Sequence, residues 1–304
     1  MFNSSSELFT KVIPVTWYGK TIQFPITRIF IVLLFLAPVT ILANLIGLEF
    51  VRSFSEPYSS LLRYSRGLVF LILFILMYGL YTRYIERREP LELSFTKFYK
   101  ELGFGVSIAF GLVGIMVLFM YVLGFYKIGS FGSLNNMSAS FVTQMMVGFT
   151  EELIFRLILF KLVEEFAGSW IALIVQALIF GFAHITNPNA SVWTSTGLVI
   201  SDLFLFGGAF MLTRRIWLIM GIHWGWNFFQ AGVFGMPNSG IDRPSWIEPI
   251  ITGPEWITGG AWGIEASYIA IALCLLIGIC IFKKAIDNNQ LVLPVWRRNK
   301  LSEV

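Results

Sequence analysis

Eight apolar windows follow one another along the 304-residue chain, at 26–48, 67–85, 103–125, 140–163, 168–187, 192–212, 214–235 and 265–284. Each falls in the range of about 17 to 25 residues that a helix needs to cross a hydrocarbon core. A chain built this way has to satisfy its backbone polar groups inside helices. The pattern therefore predicts an all-α polytopic membrane protein with about eight transmembrane helices. Composition agrees, because 13% of the residues are charged where soluble domains carry about 25%. The first window is not preceded by a basic start nor followed by a small-residue cleavage site, so it reads as a retained helix. Gly181, His184 and Asp202 interrupt the fifth and sixth windows and weaken them. No period of 20 to 50 residues and no low-complexity tract is present, so residues 1–304 read as one membrane domain.

The net charge of +4 would suggest nucleic acid in a soluble protein, but the placement of the basic residues suits membrane orientation instead. With the N-terminus inside, sixteen Lys and Arg fall on inner segments, including Arg28, Arg88, Lys161, Arg214 and Arg215. Five fall outside: Arg52, Arg63, Arg66, Lys127 and Arg243. The expectation is a multi-pass protein of the cell membrane with both termini cytoplasmic, the lipid bilayer as its surroundings and no nucleic-acid partner. The outer loop from Met236 to Glu265 is rich in Gly, Pro and Trp, and Trp246, Trp256 and Trp262 are expected at headgroup level. Cys274 and Cys280 lie six apart in an apolar run, do not face each other on a helix, and read as packing residues.

The fourth window holds "MMVGFTEELIFRLILFKLV", Met145 to Val163, with Glu151, Glu152 and Arg156 at its middle. A charged residue at the bilayer centre costs roughly 2.5 to 3.5 kcal/mol on insertion scales, so each needs a reason. Arg156 follows Glu152 by four residues and lies on nearly the same helical face, where the two form an internal ion pair. Glu151 is rotated about 100° away and must look toward another helix. The only two histidines, His184 and His223, also lie in apolar windows, and Asn227 shares a helical face with His223. Gly221 and Gly225 flank His223 at a spacing that lets a neighbouring helix approach that face. A carboxylate and an imidazole to deprotonate water, with donors for an oxyanion, are the parts for water-dependent acyl cleavage. Neither a G-x-S-x-G elbow nor an H-E-x-x-H zinc signature occurs, so water is the simplest nucleophile.

"EELIFR" at Glu151–Arg156, "FGFAH" at Phe180–His184 and "HWGWN" at His223–Asn227 resemble the EExxxR, FxxxH and HxxxN motifs of the CPBP family of intramembrane proteases, also called Abi or CAAX-protease-like proteins. The resemblance covers about Thr143 to Phe234. It implies a four-helix catalytic core within residues 140–235, preceded by accessory helices in 1–139 and followed by an outer loop, last helix and basic tail in 236–304. It further implies an endopeptidase acting on a membrane-associated protein or peptide. Glu151 and His184 would activate water, His223 and Asn227 would hold the oxyanion, and Glu152 with Arg156 would shape the site.

Zinc is a possible cofactor, since Glu151, Glu152, His184 and His223 are acceptable ligands by type. Zinc-bound histidines want orienting partners, and among the helices Asp202 is the one further carboxylate on offer, which tilts the reading toward a metal-free mechanism. The alternatives are a catalytically silent scaffold or immunity protein using the same cavity, and an ion-coupled transporter. The transporter should show an inverted repeat, and none is visible.

Overall fold

The apolar windows become helical rods in a computed structural model that describes residues 7–45, 53–55 and 58–302. The last three residues of the first window, Arg52, and the extreme ends of the predicted domain, 1–6 and 303–304, lie outside the described residues. The rods are α1 (Pro25–Leu45), α2 (Tyr58–Tyr81, continued by a π turn over Thr82–Glu86) and α3 (Phe98–Val122). Next come α4 (Leu134–Glu152), α5 (Ser169–Ala183), α6 (Val192–Thr213), α7 (Ile216–Asn227) and α8 (Tyr268–Asp287).

Six stretches among the described residues are long and apolar enough to cross a membrane: Pro25–Leu42, Leu61–Glu86, Leu91–Val122, Ser169–Thr186, Val192–Thr213 and Tyr268–Asp287. The protein is an integral, all-α, multi-pass membrane protein, with six such spans rather than a demonstrated eight. The remaining two windows form α4 and α7, and both change their winding. After Glu152 the chain enters π-helix over Leu153–Phe160 and returns to α-helix over Lys161–Ala167. After Asn227 it is π-helical over Phe228–Val233. Both switches begin directly after a motif residue, and π segments inside helices frequently mark functional sites.

Close helix packing sets which way α7 faces. A Cβ on Gly105 of α3 would come within 2.4 Å of Leu218 O, and one on Gly221 of α7 within 2.4 Å of Leu102 O, so only glycine permits this backbone approach. Gly225 rests on Ala109 of α3 in the same way. This is the face of α7 opposite His223, not the face that carries it, because two residues along a helix are a rotation of about 200°. With its small face against α3, α7 turns His223 and Asn227 toward α4 and the interior.

Two features outside the helical pattern were not expected from sequence. One is a two-stranded antiparallel sheet, β1 (Tyr126–Phe131) against β2 (Ile247–Ile251), which fastens the Met236–Glu265 loop to the α3–α4 connection. The other is a cluster of buried ions. Glu86 pairs with Arg28, Arg88 and Lys161 at 2.6–2.7 Å, and Glu92 with Arg88 at 2.6 Å. Arg214 pairs with Glu164, and Arg215 with Glu101. Five basic residues counted as inner loop charges thus act as internal ties between elements.

Candidate active site

Glu151 and Glu152 end α4, and the 100° step between them gives them different surroundings. The Glu152 side chain is wholly buried whereas that of Glu151 is 26% exposed. Glu152 Oε1 accepts from Arg156 Nη1 at 3.1 Å, as the i,i+4 spacing predicts, and also from His223 Nδ1 at 2.6 Å. Arg156 is fully buried between the rings of Phe180 and Phe206, 4.8 and 5.0 Å from their centroids, and its other arm meets Asp202. Asp202 accepts in turn from Gln176 Nε2 at 2.7 Å. Asp202 therefore serves Arg156 and not a histidine.

Each histidine nevertheless has its own orienting acceptor. His184 sits in the 3₁₀ turn that ends α5, where its Nδ1 lies 2.8 Å from Phe180 O. A carbonyl can only accept, so that nitrogen carries a proton and leaves Nε2 as the free lone pair. His223 gives its Nδ1–H to Glu152, which turns its Nε2 toward the cavity. Both Nε2 atoms face Glu151 Oε2, at 3.9 Å from His184 and 3.6 Å from His223. The spare carboxylate and both imidazoles, from α4, α5 and α7, thus converge on one point.

That point lies in a cavity of about 380 Å³ lined also by Phe155, Leu205, Asn227, Asn238, Ser239 and Glu265. Its walls come from α4, α5, α6 and α7, and α8 adds Ala270 and Cys274, a fifth helix beyond the four expected. Cys274 is a buried wall residue, in keeping with the packing reading, whereas Cys280 is exposed.

Sequence reasoning missed three of the polar groups in this cavity. Asn238 Nδ2 lies 3.1 Å from Asn227 Oδ1 and 3.4 Å from Glu265 Oε2, while Glu265 Oε1 accepts from the backbone N–H and, at 2.9 Å, the hydroxyl of Ser239. Burial pushes the Glu265 carboxyl up to about 7 despite those hydrogen bonds. The third group is Gln144, two turns before Glu151, whose fully buried amide has no protein partner among the described residues.

The loop reaches inward because Gly263 holds φ at 112°, a conformation L side chains rarely adopt, with Pro237 O where a Cβ would stand. Trp262 goes in with it and is buried against Leu198 and Ala266, so the expectation of a headgroup position fails for this residue. Trp246 and Trp256 are exposed.

The donor set Glu151, His184 and His223 suits zinc by type, and the objection that the histidines lack orienting partners does not hold. The spacing is less favourable. Zinc bonds of about 2.0–2.2 Å in a tetrahedral arrangement hold ligand atoms about 3.4 Å apart, closer than either gap here. Among the described residues no group of three or more His, Cys, Asp or Glu side chains is set as a metal site.

Residues 133–229 match the family model described as type II CAAX prenyl endopeptidase Rce1-like. No curated protein and no solved structure matches the chain. The match encloses Glu151, Glu152, Arg156, His184, His223 and Asn227 and leaves Asn238 and Glu265 outside. Over these residues the chain is similar to the Rce1-like endopeptidases, in agreement with the resemblance of its three motifs to CPBP or CAAX-protease-like proteins.

Proposed function

We propose that the protein is an intramembrane endopeptidase in which Glu151 and His184 activate a water that attacks a peptide carbonyl of a membrane-associated protein or peptide. The observation that carries this reading is the facing of Glu151 Oε2 by the Nε2 atoms of both histidines inside one cavity. Water bound there gives its proton to Glu151, with His184 Nε2 as the second acceptor. Its oxygen bonds to the carbonyl carbon and the carbonyl oxygen takes the negative charge. Asn227 Nδ2–H receives that charge together with Nε2–H of His223, which is in its doubly protonated form beside the Glu152 carboxylate. The C–N bond then breaks, and the proton held by Glu151 passes to the leaving amine.

Access from the bilayer is supported by a second, largely apolar groove of about 410 Å³ among α1, α2 and α4, which shares Val147 and Glu151 with the catalytic cavity. A substrate tethered in the membrane reaches Glu151 by that route without leaving the lipid. The excess of inner basic residues supports cytoplasmic termini, and a reporter fused after Val304 is expected to score as cytosolic.

The test is cleavage of quenched membrane peptides, prenylated CAAX-type sequences among them, by the purified protein in lipid nanodiscs. Wild type is expected to release a defined product, and Glu151→Gln, expressed at the same level, none. Equal cleavage by both proteins overturns the assignment.

A further inference from the structure

We propose that Glu265 and Asn238 are positioning residues, which fix the amide of Asn227 with its nitrogen toward the cavity as an oxyanion donor. The consequence for catalysis rests on the protease reading above, whereas the geometry does not.

The argument is one of hydrogen-bond polarity. The backbone N–H of Ser239 can only donate, so Glu265 Oε1 is an acceptor at that contact. In the ionised carboxylate, present above about pH 7, the other oxygen can likewise only accept, here from Asn238 at 3.4 Å, which forces Asn238 to present its nitrogen. The same nitrogen lies 3.1 Å from Asn227 and requires an oxygen there. With Oδ1 so engaged, Asn227 has only its NH₂ left to offer the cavity, and among the described residues that nitrogen has no partner. An ionised carboxylate at one end therefore dictates a donor at the other, through two amides that alone could stand either way round. All three side chains are at least nine-tenths buried, which keeps competing water from resetting the order.

Near-isosteric substitutions invert the relay without emptying the space. Asn238→Asp has no donor, so Asn227 must turn its NH₂ to it and show Oδ1 to the oxyanion. Glu265→Gln places its amide oxygen against the Ser239 N–H and its NH₂ against Asn238, with the same result one step further on. A lost oxyanion donor costs about a hundredfold or more in kcat. Both variants are expected to lose at least that in kcat with KM nearly unchanged. In the Asn227→Ala background, Asn238→Asp is expected to change kcat by less than about threefold, because partners acting through one group are not additive. A full additional loss in that background, or wild-type kcat in either single variant, overturns the relay.

A readout without turnover separates this proposal from the protease reading. In protein labelled with ¹⁵N only at asparagine, the Asn227 side-chain NH₂ signals are those missing from Asn227→Ala. They are expected to shift in Glu265→Gln, two hydrogen bonds away. Unmoved signals refute the relay even in an active protease, and shifted signals with no peptide cleaved by wild type uphold the relay while the protease reading falls.

Discussion

His223 Nδ1 stands 2.6 Å from Glu152 Oε1, and that oxygen also holds Arg156 at 3.1 Å. The second glutamate of the pair is therefore both an orienting group for an imidazole and one half of a buried ion pair, whereas Glu151 has neither duty. Removing one partner of a buried ion pair typically costs about 3–5 kcal/mol, since the other charge is left without compensation. Arg156→Ala strands both Glu152 and Asp202, so it is expected to lower the unfolding temperature in detergent sharply and to reduce the folded yield. Glu151→Gln is expected to leave the unfolding temperature within experimental error and to abolish cleavage. Equal destabilisation by the two changes would contradict this division of labour.

The pH dependence of stability follows from Glu265. Its carboxyl is raised from 4.5 to about 7 by burial, against the opposing influence of Ser239, His223 and Trp226, which face it. Between these two values the folded protein keeps a proton that the unfolded chain releases, so stability falls as pH rises from about 4.5 to 7 and is flat above that. At about 1.4 kcal/mol per pH unit, the loss is roughly 3 kcal/mol. Glu265→Gln has no such proton to lose. Thermal unfolding from pH 5 to pH 8 is expected to show wild type losing stability relative to Glu265→Gln as pH rises. Parallel curves would mean that the carboxyl titrates near its ordinary value.

Legibility from sequence tracked the range of the interaction. The Glu152–Arg156 pair, the separate outlook of Glu151 and the shared face of His223 and Asn227 are spacings within one helix, and all were readable. The orienting bonds of the histidines run differently. His184 uses its own helix's Phe180 carbonyl, which the FxxxH spacing contained unrecognised, while His223 uses Glu152 from 71 residues away. Asn238 and Glu265 sit in a loop whose inward path depends on the positive φ of Gly263 and on the β1–β2 pairing, and no local pattern announces either. A signal for Glu265 did exist, since a carboxylate at the very edge of an apolar window asks for a partner. The ion cluster was hidden for a related reason: Arg28 and Lys161 look like orientation charges until Glu86 is brought to them across the fold, whereas Arg88 meets Glu86 and Glu92 from two and four residues away.

Helix packing behind the site offers a structural test. Gly105 and Gly221 meet where each Cβ would press on backbone of the facing helix, and backbone cannot swing aside as a flexible side chain does. Overpacking of a tight interface costs about 1–3 kcal/mol or more. Gly221→Val is expected to push α7 off α3, shift His223 relative to Glu151, and lose both stability and cleavage. Gly111→Val, on the same α3 but with open space around its Cβ, is the control and is expected to retain both. Retention of wild-type activity by Gly221→Val would show that the α3–α7 contact does not set the site's geometry.

The metal requirement turns on the same three atoms that carry the proposed chemistry, and its test is chemical. Glu151 Oε2 lies 3.6 Å from one histidine Nε2 and 3.9 Å from the other, wider than the roughly 3.4 Å that tetrahedral zinc imposes on its ligands. A water needs no such contraction, since hydrogen bonds of about 2.8 Å to Glu151 and His184 span the gap when the angle at the water is bent. Both imidazoles are already oriented, by Phe180 O and by Glu152, so neither depends on a metal to fix its tautomer. The expected outcome is that cleavage survives stripping with a strong chelator, with loss of metal verified by elemental analysis, and that added zinc does not raise the rate. Activity that disappears on stripping and returns with one equivalent of zinc would move Glu151, His184 and His223 from water activation to metal ligation. The Glu152–His223 and Phe180–His184 contacts would then be the orienting shell of that metal.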